Sequence, residues 1–247
     1  MGAARRLGFP ASLGLTLFIS TTLSANVVMR GISLDRPLVL DENTDYELRS
    51  VAITGLSDCA ALTLTGRISS VLLDRCTFGR VWAGEEGKAA AMECAGAVVG
   101  TLTARHTTFF DAENQLAALR EGSFGRVTFE RCRFATSDSF LKQIYANNPW
   151  RTTPPVAEFY NIDRLELLDN EYSNTIIIIH PSVKQVVVRG TLPGLKLENP
   201  QATQVIRINP GQLASTVPSP AASTSPSPSP SACSSRPTPI VLAALVK

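Results

Sequence analysis

Six ten-residue segments share one apolar spacing, and this recurrence limits the fold more than any single motif does. They are RSVAITGLSD from Arg49, SSVLLDRCTF from Ser69, GTLTARHTTF from Gly100, GRVTFERCRF from Gly125, DRLELLDNEY from Asp163 and KQVVVRGTLP from Lys184. The third position reads Val51, Val71, Leu102, Val127, Leu165 and Val186. The fifth reads Ile53, Leu73, Ala104, Phe129, Leu167 and Val188. Alternation with period two over a short run is the signature of a half-buried strand. Four segments end in an aromatic residue: Phe78, Phe109, Phe134 and Tyr172.

Steps between third positions are 20, 31, 25, 38 and 21 residues, so a period near 20 is interrupted by insertions. One strand per period, with no helical pattern between, predicts a solenoid of strands. A leucine-rich repeat needs a Leu-x-x-Leu-x-Leu run followed by Asn or Cys, which is not met. The expected fold is all-β, a single-stranded right-handed parallel β-helix of about six to seven coils over residues 26–210, with a disordered C-terminal tail. Each coil adds about 4.8 Å. Third positions then form an apolar stack and tenth positions an aromatic one. Position eight, with Cys76, Thr107, Cys132 and Asn170, is an inward turn site whose side chains hydrogen-bond along the stack. Cys76 and Cys132 fall two layers apart, beyond the reach of a disulfide.

The strand-turn-Cys/Asn-x-Phe pattern in Asp74-Arg75-Cys76-Thr77-Phe78 and Glu130-Arg131-Cys132-Arg133-Phe134 resembles the right-handed parallel β-helix proteins of the pectin-lyase-like superfamily, over about residues 45–195. The resemblance implies a fold and little about activity. Hydrolysis of the polygalacturonase kind would need a carboxylate cluster in Asp-Asp and Gly-His-Gly settings, and neither dipeptide context is present; His106 follows Arg105 and His180 precedes Pro181. Elimination of the pectate-lyase kind would need Ca²⁺ on acidic side chains from adjacent coils. Position six reads Asp74, Arg105, Glu130 and Leu168, an alternation in sign that stacked solvent-facing neighbours prefer. Position seven reads Arg75, His106, Arg131 and Asp169. It is either a contact row for acidic polysaccharide or a solvated turn row. No cofactor is expected, and Ca²⁺ enters only with the lyase reading.

The two largest insertions follow Phe78 and Phe134 and contain both tryptophans, Trp82 and Trp150. Long loops on a rigid solenoid often carry function. Trp82, Tyr145, Trp150, Arg151 and Tyr160 are therefore the candidate carbohydrate-binding residues, their rings covering apolar sugar faces. The competing expectation is that these rings pin their own loops to the coil wall. Ile176-Ile177-Ile178-Ile179 should turn two side chains inward and leave two to be covered by the protein or to mark an association site.

Residues 1–25 carry Arg5 and Arg6, an apolar stretch from Leu13 to Ile19 and small residues up to Ala25, the layout of a secretory signal peptide. The chain has 23 Lys and Arg against 21 Asp and Glu. Cleavage after Ala25 would leave it neutral, which argues against a nucleic-acid partner. Residues 211–239 form a Ser/Pro-rich disordered spacer. It resembles the Ser-Pro glycomodules of cell-wall glycoproteins, or it is a plain spacer. No Asn-x-Ser/Thr acceptor occurs, so glycans would be O-linked there. The apolar tail at 240–247 is too short to span a membrane. Of five cysteines, Cys233 lies in the spacer, and Cys59 and Cys94 share a local setting that offers a possible disulfide. The expected protein is extracellular, at a cell wall or surface. It is non-catalytic, with a polysaccharide or glycoprotein surface as its partner. A diverged lyase or hydrolase and a purely structural wall component are the alternatives.

Overall fold

A computed structural model describes residues 26–41, 44–85 and 87–190, together with the backbone of 204–208 and 240–244. The expected signal peptide at 1–25, the expected spacer at 211–239 and Cys233 lie outside the described residues. The fold is all-β apart from one helix, Asp138–Asn147, and its strands form a 13-stranded and a 6-stranded sheet.

Strand pairing resolves into three ladders that the chain visits in a fixed order. The first holds Leu38–Leu40, Cys59–Leu64, the start of Ala89–Arg105, the start of Gln115–Glu130, Val156–Phe159 and Thr175–Ile179. The second holds Asn26–Arg30, Asp45–Arg49, Arg67–Asp74, the ends of the two long strands, Ile162–Leu168, Gln185–Arg189 and Gln204–Ile208. The third holds Ser33–Leu34, Ala52–Ser57, Thr77–Trp82, Thr108–Ala112, Arg133–Ala135 and Glu171–Ser173. Pairing within each ladder is parallel, an arrangement compatible with a solenoid. A repeat thus carries three short strands, where the sequence pattern marks only the second clearly. Ala89–Arg105 runs from the first ladder into the second through Gly96, whose φ of +78° suits only a residue without Cβ.

The registers reproduce most of the expected columns. Val71, Leu102, Val127, Leu165 and Val186 are successive partners and all are buried. The residue before Val71 in this column is Tyr46, not Val51, and Tyr46 pairs in turn with Val27. The first segment is therefore displaced by five residues. Asp45–Arg49 and Ala52–Ser57 both alternate, and alternation alone does not say which of two consecutive strands belongs to which ladder. Val51 instead precedes Cys76 in the position-eight column, and Ile53 joins the aromatic one, paired with Leu34 on one side and Phe78 on the other.

The aromatic column is continuous. Phe78 stacks on Phe109 at 5.8 Å, Phe109 on Phe134 at 5.1 Å and Phe134 on Tyr172 at 5.6 Å between ring centroids. Such pairs contribute about 0.5–1.5 kcal/mol beyond the area they bury. Position eight is stitched along the stack. The thiol of Cys76 donates to Leu48 O (3.3 Å), the Thr107 hydroxyl to Leu73 O (3.3 Å), the Cys132 thiol to Ala104 O (3.3 Å) and the Asn170 amide to Phe129 O (2.9 Å). Each donor reaches the fifth-position carbonyl one rung back. Thr107 sits between Cys76 and Cys132, and burial pushes the Cys132 thiol up to about 12.

Position seven turns the chain from the second ladder to the third. Gly31, Ser50, Arg75, His106, Arg131 and Asp169 all have positive φ there, and so has Gly190, which follows the strand Gln185–Arg189. The N–H of each of the six from Gly31 to Asp169 donates to the sixth-position carbonyl one rung on: Ser50 to Asp74, Arg75 to Arg105, His106 to Glu130, Arg131 to Leu168. This left-handed conformation costs a residue with a Cβ roughly 1–2 kcal/mol. Position six is the expected charge column, extended at both ends: Arg49, Asp74, Arg105, Glu130, Leu168 and Arg189 pair in order. Glu130 lies 3.4 Å from both Arg105 and Arg189.

Two expectations are corrected. Cys59 and Cys94 are free thiols: Cys59 pairs with Ala89 and Cys94 with Leu64, which leaves them five residues out of register, about 16 Å along the strand. The second insertion is not free of helix, since it contains Asp138–Asn147. Its Phe140 and Ile144, four apart, are its buried residues. The four isoleucines divide as alternation requires in burial: Ile177 and Ile179 are buried, Ile176 and Ile178 half-buried. The backbone of Ile240–Ala244 pairs antiparallel with Thr175–Ile179.

Candidate functional site

A cleft of about 760 Å³ opens where the third ladder passes to the first. Trp82, Glu113, Asn114, Asn147, Asn148, Trp150 and Arg151 are among its lining residues. Three rungs supply it through loops of different length. Residues 83–88 follow strand Thr77–Trp82. Glu113 and Asn114 alone join Thr108–Ala112 to the next strand. The helix and its trailing loop fill the interval between Arg133–Ala135 and Val156–Phe159.

Glu113 and Asn114 hold the other loops. Glu113 is only 6% exposed, and its two carboxylate oxygens accept from the Ala83 N–H and the Asn148 amide, both at 2.9 Å. Asn114 donates to Gly87 O at 2.6 Å and accepts from Arg151 Nη1 at 3.2 Å. The Arg151 Nε donates to Thr153 O at 3.0 Å. The shorter loop is fixed further where the Gly84 N–H donates to Asp58 Oδ1 at 2.7 Å; a Cβ at Gly84 would collide with that carboxylate.

The helix is started by Ser137, whose hydroxyl accepts from the Phe140 N–H at 3.3 Å and donates to Asp111 at 3.0 Å. Asp111 also accepts from the Ser137 N–H at 2.7 Å, so the rung below dictates where the helix begins. Phe140 packs against Trp82 with 4.1 Å between ring centroids.

The two tryptophans therefore differ in role. Trp82 is half-buried under the helix, as the loop-pinning expectation has it, yet one part of it lines the cleft. Trp150 is 79% exposed, an indole face held out beside amides and a guanidinium. Arg151 is half-buried; burial lowers its pKa, with the Glu113 charge opposing, and guanidinium remains protonated at neutral pH. Tyr145 is half-buried on the helix, close enough to Arg151 to influence it electrostatically, but it does not line the cleft. Tyr160 lies elsewhere. It follows the far end of Val156–Phe159 and stacks on His180 at 4.4 Å. The structure thus gathers Trp82, Trp150 and Arg151 and leaves Tyr160 out.

Glu113 and Asn114 escaped sequence reasoning, whereas Asn147 and Asn148 belong to the second insertion that it singled out. A two-residue Glu-Asn joint between alternating strands, flanked by rungs with insertions, was the available signal for the first two. Among the described residues no group of three or more His, Cys, Asp or Glu is placed to hold a metal ion. Asp74, Arg105 and Glu130 stand in the charge column, away from the cleft. One other carboxylate is strongly engaged. Burial raises the Glu166 pKa, but hydrogen bonds from Arg126 (2.8 Å), Arg164 (2.7 Å) and Thr128 (2.9 Å) outweigh it and hold the group below its usual value.

No family model, curated protein or solved structure matches this chain. Among the described residues no helix is long and apolar enough to cross a membrane.

Proposed function

We propose that this chain is a secreted, non-catalytic protein of a cell wall or surface that binds carbohydrate in the cleft at Trp82, Trp150 and Arg151. The parallel ladders, visited in constant order, support winding as a right-handed β-helix of about six to seven coils related to the pectin-lyase-like proteins. The carrying observation is Trp150, an exposed indole at the mouth of a cleft whose polar groups are three amides, two threonine hydroxyls, the Arg151 guanidinium and the Glu113 carboxylate. An indole face covers the apolar face of a sugar ring, and amides exchange hydrogen bonds with its hydroxyls. Glu113 acts as the internal brace that sets the loops. Both its oxygens are committed to Ala83 and Asn148, which argues against a role in proton transfer.

Incubating the full chain with neutral and acidic wall polysaccharides in the presence of calcium, and reading polymer size and co-sedimentation from the same samples, tests this reading. Intact polymer with bound protein is expected, and Trp150→Ala should reduce binding to the neutral polysaccharides at least tenfold without lowering the thermal midpoint. Shortened polymer would replace the proposal with the lyase or hydrolase reading. Intact polymer without binding would leave a structural wall component.

A further inference from the structure

Gly is the residue that a left-handed turn tolerates best, with Asn and Asp next. Position seven follows that preference at its ends, with Gly31, Asp169 and Gly190. In the middle it does not: after Ser50, three successive rungs carry the long side chains Arg75, His106 and Arg131, with φ of +54°, +49° and +50°, of which His alone is a type enriched in this region. Backbone conformations that a side chain disfavours persist where the surrounding structure imposes them, and such residues cluster at binding sites. All three side chains are exposed, and no side-chain hydrogen bond or ion pair engages them among the described residues.

The neighbouring positions carry four arginines, Arg49, Arg105, Arg133 and Arg189, against four acids, Asp74, Glu130, Asp169 and Glu171, and so leave the row its own charge. In position six Arg49, Asp74, Arg105 and Glu130 alternate, and Glu130 is shared by Arg105 and Arg189. In the next strand Arg133 follows Thr77 and Thr108 in register, adding an exposed guanidinium on the same rung as Arg131. Three cationic or hydrogen-donating groups are thus set in file, one per rung, about 4.8 Å apart. They stand at the opposite end of the third ladder from the cleft, with the six residues Thr77–Trp82 between, about 20 Å.

We infer that this rim is a second binding site, for an extended anionic glycan carrying about one sulfate or carboxylate per sugar, read by Arg75, His106 and Arg131 in single file. A sugar ring advances a chain by about as much as one rung does, so successive anionic groups meet successive side chains. Arg presents a planar fork to carboxylate or sulfate oxygens, and neutral His presents one ring N–H. Single-stranded nucleic acid is the poorer fit, because its binding sites interleave charge with aromatic platforms. The exposed or half-exposed neighbours here are Asp74, Arg105, Glu130, Asp169, Thr77, Thr108, Arg133 and Glu171, none aromatic.

The test titrates the full chain at low salt with alginate, carrageenan, neutral dextran and single-stranded poly(dT). Tight binding to alginate or carrageenan but not dextran is expected, and the preferred polymer identifies carboxylate or sulfate as the recognised group. Arg75→Gly/His106→Gly/Arg131→Gly removes the row while installing the residue this turn favours. Binding should fall at least tenfold with an unchanged or higher thermal midpoint. Arg36→Gln/Arg67→Gln, which removes the same arginine charge elsewhere, should cost less than threefold. Trp150→Ala should leave binding to the anionic polymer within twofold, which separates this site from the cleft. Should the glycine variant fail to fold, Arg75→Ser/Arg131→Ser serves, since the chain already holds Ser50 in this conformation. The inference is overturned by equal losses in the control pair, by no binding to either anionic glycan, or by poly(dT) binding as tightly as the better glycan.

Discussion

At the rim between the second and third ladders, six described turns each place one residue in the left-handed region and point its N–H at the next rung. At the rim between the third and first ladders the connections range from the single residues Asp58 and Asn174 to the stretch 136–155. The first rim repeats because stacking requires it: every turn must deliver its strand in register with the one below. The second is released from that requirement wherever a loop leaves the stack, and it must then be held by side chains. Glu113, Asn114, Asp111 and Ser137 do this, each with a hydrogen bond that occurs once in the molecule. Regularity therefore carries the stability, and irregularity carries the cleft.

Substitution in the repeated interior is the most severe way to test that division. Phe109 is fully buried and stacks on Phe78 and Phe134 in the centre of the aromatic column. Phe109→Ala should cost about 3–5 kcal/mol, the range for large cavities in a core. Chemical denaturation measures it, and a cost below about 1 kcal/mol would mean that the column does not close the core. Asn170→Ala comes next. It removes the amide that donates to Phe129 O and accepts from Cys132 N–H, leaving two buried backbone groups without that partner. A loss of about 1–3 kcal/mol is expected. Asn170→Asp retains the acceptor for the Cys132 N–H and should restore less than half of it, because the donated bond is the one lost.

The columns were legible because residues that share a role in stacked rungs resemble one another. Phe78, Phe109, Phe134 and Tyr172 announce a register, and Cys76, Thr107, Cys132 and Asn170 announce a turn that needs a small inward donor. Legibility failed where two strands of one rung alternate alike, which displaced the first segment by five residues and placed Val51 with Val71. It failed again for the short first-ladder strands, where Ala89-Ala90-Ala91 and Ala117 carry too little contrast to mark a period. The cleft was half legible. Tryptophans in insertions stand out by composition, whereas Glu113 acquires its meaning only when three rungs bring Ala83 and Asn148 to it. Tyr160 shows the converse error, since nearness in sequence to the second insertion did not place it in the cleft.

The mildest change asks whether the irregular rim folds with the stack or upon it. Ser137→Ala removes the hydroxyl that caps the helix and the bond it makes to Asp111, at a cost of about 1 kcal/mol. If the helix rests on a finished stack, that cost is local. Hydrogen exchange should accelerate roughly fivefold for the amides of Asp138–Asn147, while the amides of Phe129 and Leu165 keep their protection and the global midpoint moves little. Because Phe140 holds Trp82 from above, the loosened helix should also weaken carbohydrate binding in the cleft severalfold and leave the cationic rim untouched. A uniform loss of protection across helix and ladders would make the insertion part of one cooperative unit, and stability and site would then not be separable in the way the two rims imply.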